Sequence, residues 1–547
     1  MAIYVKKKEN QQMTSLFDVN LRTTFVSLTI LLLAWLVLYL VYLINHDVPT
    51  DPGGYYLESA QQLAENHFRI PAYVQGFGLK GIPFVYPPLA FYLLAVMGYL
   101  FGGVIKASLY VPGILLLIQA ILMYFFMLRW KSSKQAALWA ALVLLLMPQI
   151  FFRTLYADGI TTGLGDIFLL ASWIVVIKPI ERSSVYRQSI LGGLFVGLTI
   201  LSHPAIGLFC SVSFLILFFY SNGLTKKAIL GLLLTGVIAL VVIAPWLFLI
   251  ISKHGIAPFL AGLTDSKSSL SALGRENDLF GYLKTTFYYI YHKHIDGFSN
   301  TWSFIVIPFI LALVYNMIKG PRILILLLLA VLLTLRGHPT GTIFVLAASL
   351  GVFYERFFIT FLDSRFSQYL EKESIEDKVN INWRFLLFFV MHVSLLFVLS
   401  SRYVNRPAFI AGELETYEWI RLNTAKTSTF IANNMDEKLV YFGQRTILLP
   451  ILGAEWIPDS EYGNWTTRDS KINYEIYQCR EIECLLDIFK KYDLAPDYII
   501  YSVSNYEERA WIESLNSSSL FKTVFQSENF VTLEVLDSAY NYFLKSP

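Results

Sequence analysis

YPPLAFYLLAVMGYLFGGVI, residues 86–105, is apolar and long enough to cross a bilayer, and whether it crosses decides which side every later loop faces. A membrane-spanning helix needs about 20 apolar residues. Eleven other stretches meet or approach that length: 25–44, 107–128, 135–152, 159–177, 190–203, 204–220, 228–252, 303–318, 323–335, 340–354 and 385–400. Charge decides. With the N-terminus inside and 86–105 not crossing, the short loops 129–134, 178–189, 221–227 and 319–322 all fall on the cytoplasmic side. Together they hold ten Lys or Arg and one Glu, the bias expected of cytoplasmic loops. If 86–105 crossed, all four would flip outside. The segment is therefore read as an interfacial or re-entrant helix entered through Pro87-Pro88.

Composition points the same way. The 547 residues are 55% hydrophobic and 15% charged, with mean hydropathy +0.54, whereas soluble domains are about 25% charged. Disorder, a collagenous repeat and a cytosolic enzyme are excluded. Net charge is only +3 and the basic residues come in short clusters, so nucleic acid is not the partner. The expected fold is mainly α: a polytopic transmembrane bundle of about 11 spans plus the interfacial helix, with a C-terminal extracytoplasmic α/β domain. Residues 1–24 are read as a cytoplasmic N-terminus and 25–358 as the transmembrane module, with exterior loops 45–106 and 253–302. Residues 359–384 form a cytoplasmic linker of mixed charge, 385–404 the last span, and 405–547 the exterior domain. No small-residue cleavage site follows the first apolar run, which is read as an anchor. In the tail, 413–423, 473–492 and 505–515 look helical, while 428–432, 439–442, 498–502 and 522–535 look strand-like. No glycine-rich phosphate loop precedes its helices. The three cysteines show no zinc spacing; Cys479 and Cys484 either bridge or remain two thiols.

Candidate chemistry concentrates where spans meet the exterior. Asp51 opens DPGGYYLESAQQLAEN directly after the first span, and Pro52-Gly53-Gly54 turns the chain before a helix at Tyr55. Such an acid is either a helix-terminal charge beside the dipole or a general base held at the membrane surface. Asp158, at the exterior end of the fourth span, is either an N-cap or a second functional acid. Asp166 lies about 12 Å deeper on the same helix; intramembrane carboxylates are functional by default, and a structural hydrogen bond to a neighbouring helix is the competing reading. Ser202-His203-Pro204 and Arg336-Gly337-His338-Pro339 interrupt two stretches too long for single spans. Each is a helix pair turning at the exterior face or a kinked helix, and paired breaks of this kind point to a binding cavity. Arg336 suits a phosphate, which a guanidinium grips through two parallel hydrogen bonds; an interfacial arginine on lipid headgroups is the competing reading. Lys253-His254 ends the seventh span, and His292-Lys293-His294 is weak metal spacing. Tyr55, Tyr86 and His338 complete the candidate substrate-binding set. Asn464-Trp-Thr466 and Asn516-Ser-Ser518 are glycosylation sequons, meaningful only if the exterior is an organelle lumen.

The order TDPGGYYLESAQQLAENHFRIP, GIPFVYPPLAFYLLA, D-G-I-T-T and GLFVGLTILSHPAIGLF, over residues 20–355, resembles the GT-C superfamily of polytopic membrane glycosyltransferases. It is most similar to the branch holding protein O-mannosyltransferases and lipid A aminoarabinose transferases. The resemblance implies a sugar on a polyprenyl phosphate as donor and a lipid, glycan or protein acceptor, in the plasma (inner) membrane. It implies that Asp51 is the general base and that Asp158 positions substrate or metal. Arg336 would offset charge on the departing phosphate. A divalent cation is the one cofactor the resemblance leaves open. Three departures stand out: Asp51-Pro52 replaces the frequent Asp-Glu, no DxD is present, and the Trp-Trp-Asp-Tyr-Gly signature of oligosaccharyltransferases is absent. A transporter or flippase of lipid-linked sugars is the competing class.

Overall fold

A computed structural model describes residues 21–50, 53–130, 132–147, 150, 154–155, 159–177, 185–264, 281, 311–318, 322–334, 340–355, 407–432, 436–503 and 506–539. Helix α1 (Leu21–Asn45) is followed by the short α2 (Gly54–Glu65) and a two-stranded ribbon, β1 (Tyr73–Val74) and β2 (Ile82–Pro83). Then come α3 (Leu89–Phe101), α4 (Val104–Arg129), α5 (Lys134–Leu146) and α6 (Gly159–Val176). They lead into α7 (Val185–Ser202), α8 (Pro204–Asn222), α9 (Lys226–His254) and α10 (Ala257–Thr264). Two further apolar helices, α11 (Arg322–Thr334) and α12 (Thr340–Phe353), close the bundle. Among the described residues, six helices are long and apolar enough to cross a membrane: α1, α4 and α6 to α9. The sequence-read spans 107–128, 159–177, 190–203, 204–220 and 228–252 each fall on one of them. The span expected at 385–400 lies outside the described residues.

Helix α3 has 13 residues, about 20 Å at 1.5 Å per residue, too short for the roughly 30 Å hydrocarbon core. It stops at Gly102, in the left-handed conformation, and Gly103, at φ 135°. The helices over the expected spans 135–152, 323–335 and 340–354 are as short, at 13, 13 and 14 residues, so length alone does not set α3 apart from them. The break at His203 is a true helix pair. His203 is extended (φ −155°, ψ 119°) and Pro204 opens α8. Gly192 lies against Phe214 and Gly207 against Ile200, so α7 and α8 run antiparallel.

Packing in the bundle uses small residues where backbones approach, as membrane helices do. Gly193 and Gly197 of α7 face Thr235, Ile238, Ala239 and Val242 of α9, where a Cβ would meet carbonyl oxygens. Thr235 donates across this contact to the Ser189 carbonyl at 3.2 Å. Gly113 of α4 admits the ring of Tyr39, and Trp35 Nε1 donates to the Gly113 carbonyl at 2.7 Å. The outward faces carry exposed apolar side chains such as Phe25, Ile44, Leu233 and Phe248, the surface a bilayer would cover.

The C-terminal part holds α13 (Glu413–Asn423), β3 (Thr429–Ala432), β4 (Thr446–Ile447), the ribbon β5 (Pro458–Asp459) and β6 (Gly463–Asn464), α14 (Trp465–Gln478) and α15 (Ile482–Lys491). It ends with β7 (Tyr498–Ser502), α16 (Tyr506–Ser517), β8 (Phe521–Gln526) and β9 (Phe530–Val535). The main sheet runs β4-β3-β7-β9-β8, parallel in its first three strands and antiparallel in the last two pairings. Three expectations are corrected. Residues 439–442 are not a strand but part of a π-helical turn, Leu439–Gly443. Leu439 and Val440, adjacent in sequence, both enter one core, which a helical turn allows and the alternation of a half-buried strand does not. The helix expected over 473–492 is two, parted at Cys479–Glu481, where Cys479 and Cys484 are disulfide-bonded with Cα atoms 5.8 Å apart. Asn464 is not a usable glycosylation acceptor: it is 1% exposed, and its Oδ1 caps α14 by accepting the Thr467 N–H.

One core joins the two parts. Tyr55, Leu57, Phe77, Phe84 and Phe91 of the first long loop and α3 pack with Tyr417, Ile420, Phe430, Ile447 and Phe530 of the C-terminal part. The loop also extends the sheet: Gly78 N–H donates to the Ile447 carbonyl at 2.6 Å, and Ile447 N–H to the Gly76 carbonyl at 2.9 Å. Gly76, at φ 89°, takes a conformation costly for any residue with a Cβ.

Candidate functional site

Tyr42, near the end of α1, is 1% exposed. Its ring stacks on His46 one turn later, with centroids 4.5 Å apart, and the His46 Nδ1 lies 3.0 Å from the Tyr42 carbonyl. The Tyr42 hydroxyl accepts the Thr50 N–H at 3.0 Å and donates to the Leu155 carbonyl at 3.4 Å. Thr50 immediately precedes Asp51, and Leu155 stands three residues before Asp158. One buried hydroxyl thus ties together the stems of two loops about a hundred residues apart in the chain. Asp51, Asp158, Arg336 and His338 themselves lie outside the described residues, as do His292 and His294.

Beyond that stem, α2 begins so close to the Glu437 carbonyl that no Cβ would fit at Gly54. Tyr55 is 1% exposed and meets Tyr56, Phe77 and Phe91 at centroid distances of 5.4, 5.6 and 6.4 Å. It is a centre of the shared core. Burial, with Glu455 next in weight, pushes its hydroxyl well above the usual phenol range. Tyr86 sits where four elements meet. Its ring stands edge-on to Tyr56 at 5.8 Å, His203 at 6.1 Å and Trp456 at 6.5 Å. Trp456 continues to Phe259 at 6.5 Å, and Phe259 to Trp246 of α9 at 5.7 Å. On α6, Gly165 approaches the Cβ of His203, and the next residue, Asp166, is fully buried.

Lys253 and His254 hold a different corner. Lys253 Nζ donates to the Ile70 carbonyl at 2.8 Å, and the His254 ring stands edge-on to Tyr73 at 5.2 Å. They fasten the end of α9 to the first long loop. The structure therefore brings Tyr55 and Tyr86 into one aromatic cluster and sets Lys253 and His254 beside its loop. Sequence reasoning passed over Tyr42, Tyr56 and Trp456. Nothing in the sequence separates these from the interfacial aromatic belt, because their partners are distant in the chain. Among the described residues, no three His, Cys, Asp or Glu side chains converge as a metal site.

Helices long and apolar enough to span a membrane, a short apolar helix after the first long loop, and an α/β layer joined to that loop make up the fold of the GT-C glycosyltransferases. Solved structures with this fold match most of the chain. ArnT from Cupriavidus metallidurans, apo and bound to undecaprenyl phosphate, is 15% and 14% identical, with TM-scores of 0.58 and 0.56. The matches cover 95% and 94% of this chain and 99% and 98% of that one. The archaeal oligosaccharyltransferase AglB from Archaeoglobus fulgidus, in complex with an inhibitory peptide and a dolichol-phosphate, is 11% identical, with TM-score 0.55, over 88% of this chain and 69% of that one. Arabinofuranosyltransferase AftD from Mycobacteria is 13% identical, with TM-score 0.52, over 92% of this chain and 40% of that one. No curated protein sequence matches the chain. Residues 85–363, just over half of the chain, match the family described as 6-pyruvoyl-tetrahydropterin synthase related domain, membrane protein. The chain belongs to that membrane protein family.

Proposed function

We propose that this protein is an integral-membrane glycosyltransferase that moves a sugar from a polyprenyl phosphate to an acceptor hydroxyl at the extracytoplasmic face. The observation that carries the reading is the Tyr42 hydroxyl, bonded to Thr50 beside Asp51 and to Leu155 just before Asp158. The fold supports the donor class: ArnT and AglB, which share it, bind undecaprenyl phosphate and a dolichol-phosphate. Asp51 takes the proton of the acceptor hydroxyl as its oxygen attacks the anomeric carbon. The bond from that carbon to the phosphate oxygen breaks, and polyprenyl phosphate leaves with the electron pair. Attack opposite the leaving group inverts the anomeric centre. Arg336 offsets the charge gathering on the phosphate, and Asp158 positions the reacting groups. Tyr86, Tyr56 and Trp456 supply ring faces against which a sugar or the first isoprenes can lie. The N-terminus is cytoplasmic and the C-terminal part exterior, an orientation supported by the charge of the short loops and by the Cys479–Cys484 disulfide, which suits an oxidising compartment.

The test uses purified protein in lipid vesicles, a panel of radiolabelled polyprenyl-phosphate sugars and a mixed acceptor extract. Wild type is expected to transfer label and Asp51→Asn to lose transfer by at least a hundredfold while staying folded. Equal transfer by both would remove Asp51 from its role. Movement of intact labelled lipid between leaflets, without transfer, would replace the transferase by a flippase. Transfer is expected to survive EDTA within twofold, because Asp51-Pro52 lacks the second adjacent acid and the chain has no DxD; loss in EDTA restored by a divalent cation would reverse that expectation.

A further inference from the structure

A groove of about 700 Å³ runs between the outward face of α2 and the C-terminal part. Glu58, Gln61 and Gln62 of α2 line one side, and Arg421, Tyr441 and Gln444 line the other. The far wall is built in two uncommon backbone conformations. The π-helical turn Leu439–Gly443 leads into Gln444, a left-handed residue with a full side chain at φ 52°, ψ 43°. Single π-turns and left-handed non-glycine residues cost energy and gather at functional sites. Arg445, 4% exposed, devotes all five of its N–H donors to the Thr424 hydroxyl and to the carbonyls of residues 421, 424, 443 and 444. A buried cation therefore holds this turn in its shape.

The lining has a definite chemistry. Burial holds the Glu58 carboxyl near 7 and Arg445 is buried on backbone carbonyls, which leaves Glu65 against Arg421 and little net charge to select a phosphate or a polycation. The remaining polar groups are mainly side-chain amides, which both donate and accept, as sugar hydroxyls do; Gln62 spends its amide on Glu58 and the Gln75 backbone and Gln61 donates to Glu65, so Gln75 and Gln444 carry most of this capacity. The rings of Tyr441 and Phe442 offer apolar faces beside them. The volume lies within the range of small-ligand pockets, about 300–1,000 Å³. We infer that this groove binds a neutral, polyhydroxylated ligand, a glycan chain, between α2 and the C-terminal part. Helix α2 starts three residues after Asp51, so a glycan in the groove would lie along the helix that follows the proposed base. That this glycan is the non-reacting end of the acceptor rests on the transferase reading; that the groove binds glycan does not.

The experiment is calorimetric titration of the full-length protein in nanodiscs with neutral linear oligosaccharides of three to six sugars, cut from mannan, glucan, galactan and arabinan. At least one series is expected to bind saturably. Arg421→Ala and Gln444→Gly are each expected to weaken it at least tenfold, and Gln444→Gly to leave the melting temperature unchanged or raised, since glycine removes the left-handed strain. Asp51→Asn is expected to bind as wild type does. Absence of binding by every oligosaccharide, with the protein folded by its melting curve, would overturn the inference. So would binding that both groove variants leave unchanged, or a phosphorylated mannan that binds at least tenfold more tightly than its neutral form. If Asp51→Asn transfers sugar like wild type while glycan binding persists in both, the assigned base fails and the groove stands.

Discussion

Tyr42 and Glu58 show how single side chains set the chemistry of this junction. Replacing Tyr42 by Phe leaves the buried Thr50 N–H without its acceptor, at a cost of about 1–3 kcal/mol. Because that strain falls on the stem of the proposed base, kcat is expected to drop about tenfold with KM within twofold. Steady-state transfer assays read the split; a raised KM at unchanged kcat would assign Tyr42 to binding instead. Glu58 is half-buried at the groove, and burial first, then Glu65, raises its carboxyl from 4.5 to about 7 against the opposing hydrogen bond from Gln62. Tyr441, across the groove, is pushed up to about 12 by burial and by these two carboxyls. The native state keeps the Glu58 proton while the unfolded chain releases it near 4.5. Stability therefore falls as pH rises through that window and stays lowered above about 7. Asp469, raised from 3.8 to about 7 by burial despite Arg468, acts in the same direction. Melting curves of Glu58→Gln are expected to overtake wild type progressively from pH 5 to pH 8; a gap independent of pH would show that the carboxyl is not titrating there.

At the scale of elements, α7 and α9 meet through Gly193 and Gly197, where carbonyls of α9 approach the α7 backbone. Gly197→Leu has no room, and overpacking of this kind costs about 1–3 kcal/mol or more. The expected outcome is a lowered melting temperature in detergent, while Gly236→Leu, on the open side of α9, leaves it within a degree or two. Element type was mostly legible in the sequence. The helices α1, α4 and α6 to α9 follow from hydrophobic length, and the turn at His203 from its proline. The turn at 439–443 was not legible: LVYF has the composition of a strand, and only the core that Leu439 and Val440 enter together selects the helical form. The break between α14 and α15 escaped for a similar reason, since Cys479 and Cys484 left pairing open.

At the scale of the whole molecule, the first long loop and the C-terminal part share one core and one sheet edge. Orientation is testable there. After mild reduction, a membrane-impermeant maleimide is expected to label Cys484, which is exposed, on intact cells, and to spare Cys210, which is buried in the bundle. Labelling of Cys484 only after lysis would invert the topology.

The sequence by itself determined that the chain is a membrane helix bundle with an α/β layer, and it set the expected side of each loop. A bilayer imposes a one-dimensional code, apolar length and flanking charge, that needs no knowledge of contacts. It also marked Asp51 and Asp158 as candidates for the chemistry, through their positions at span ends. Only the tertiary structure decided that Thr50 and Leu155 meet on Tyr42, that Tyr86 joins Tyr56, His203 and Trp456, and that α2 faces the 439–444 turn across a polar groove. Those neighbours lie from eight to several hundred residues apart in the chain, and their meeting follows from how packed helices and a sheet edge close on one another.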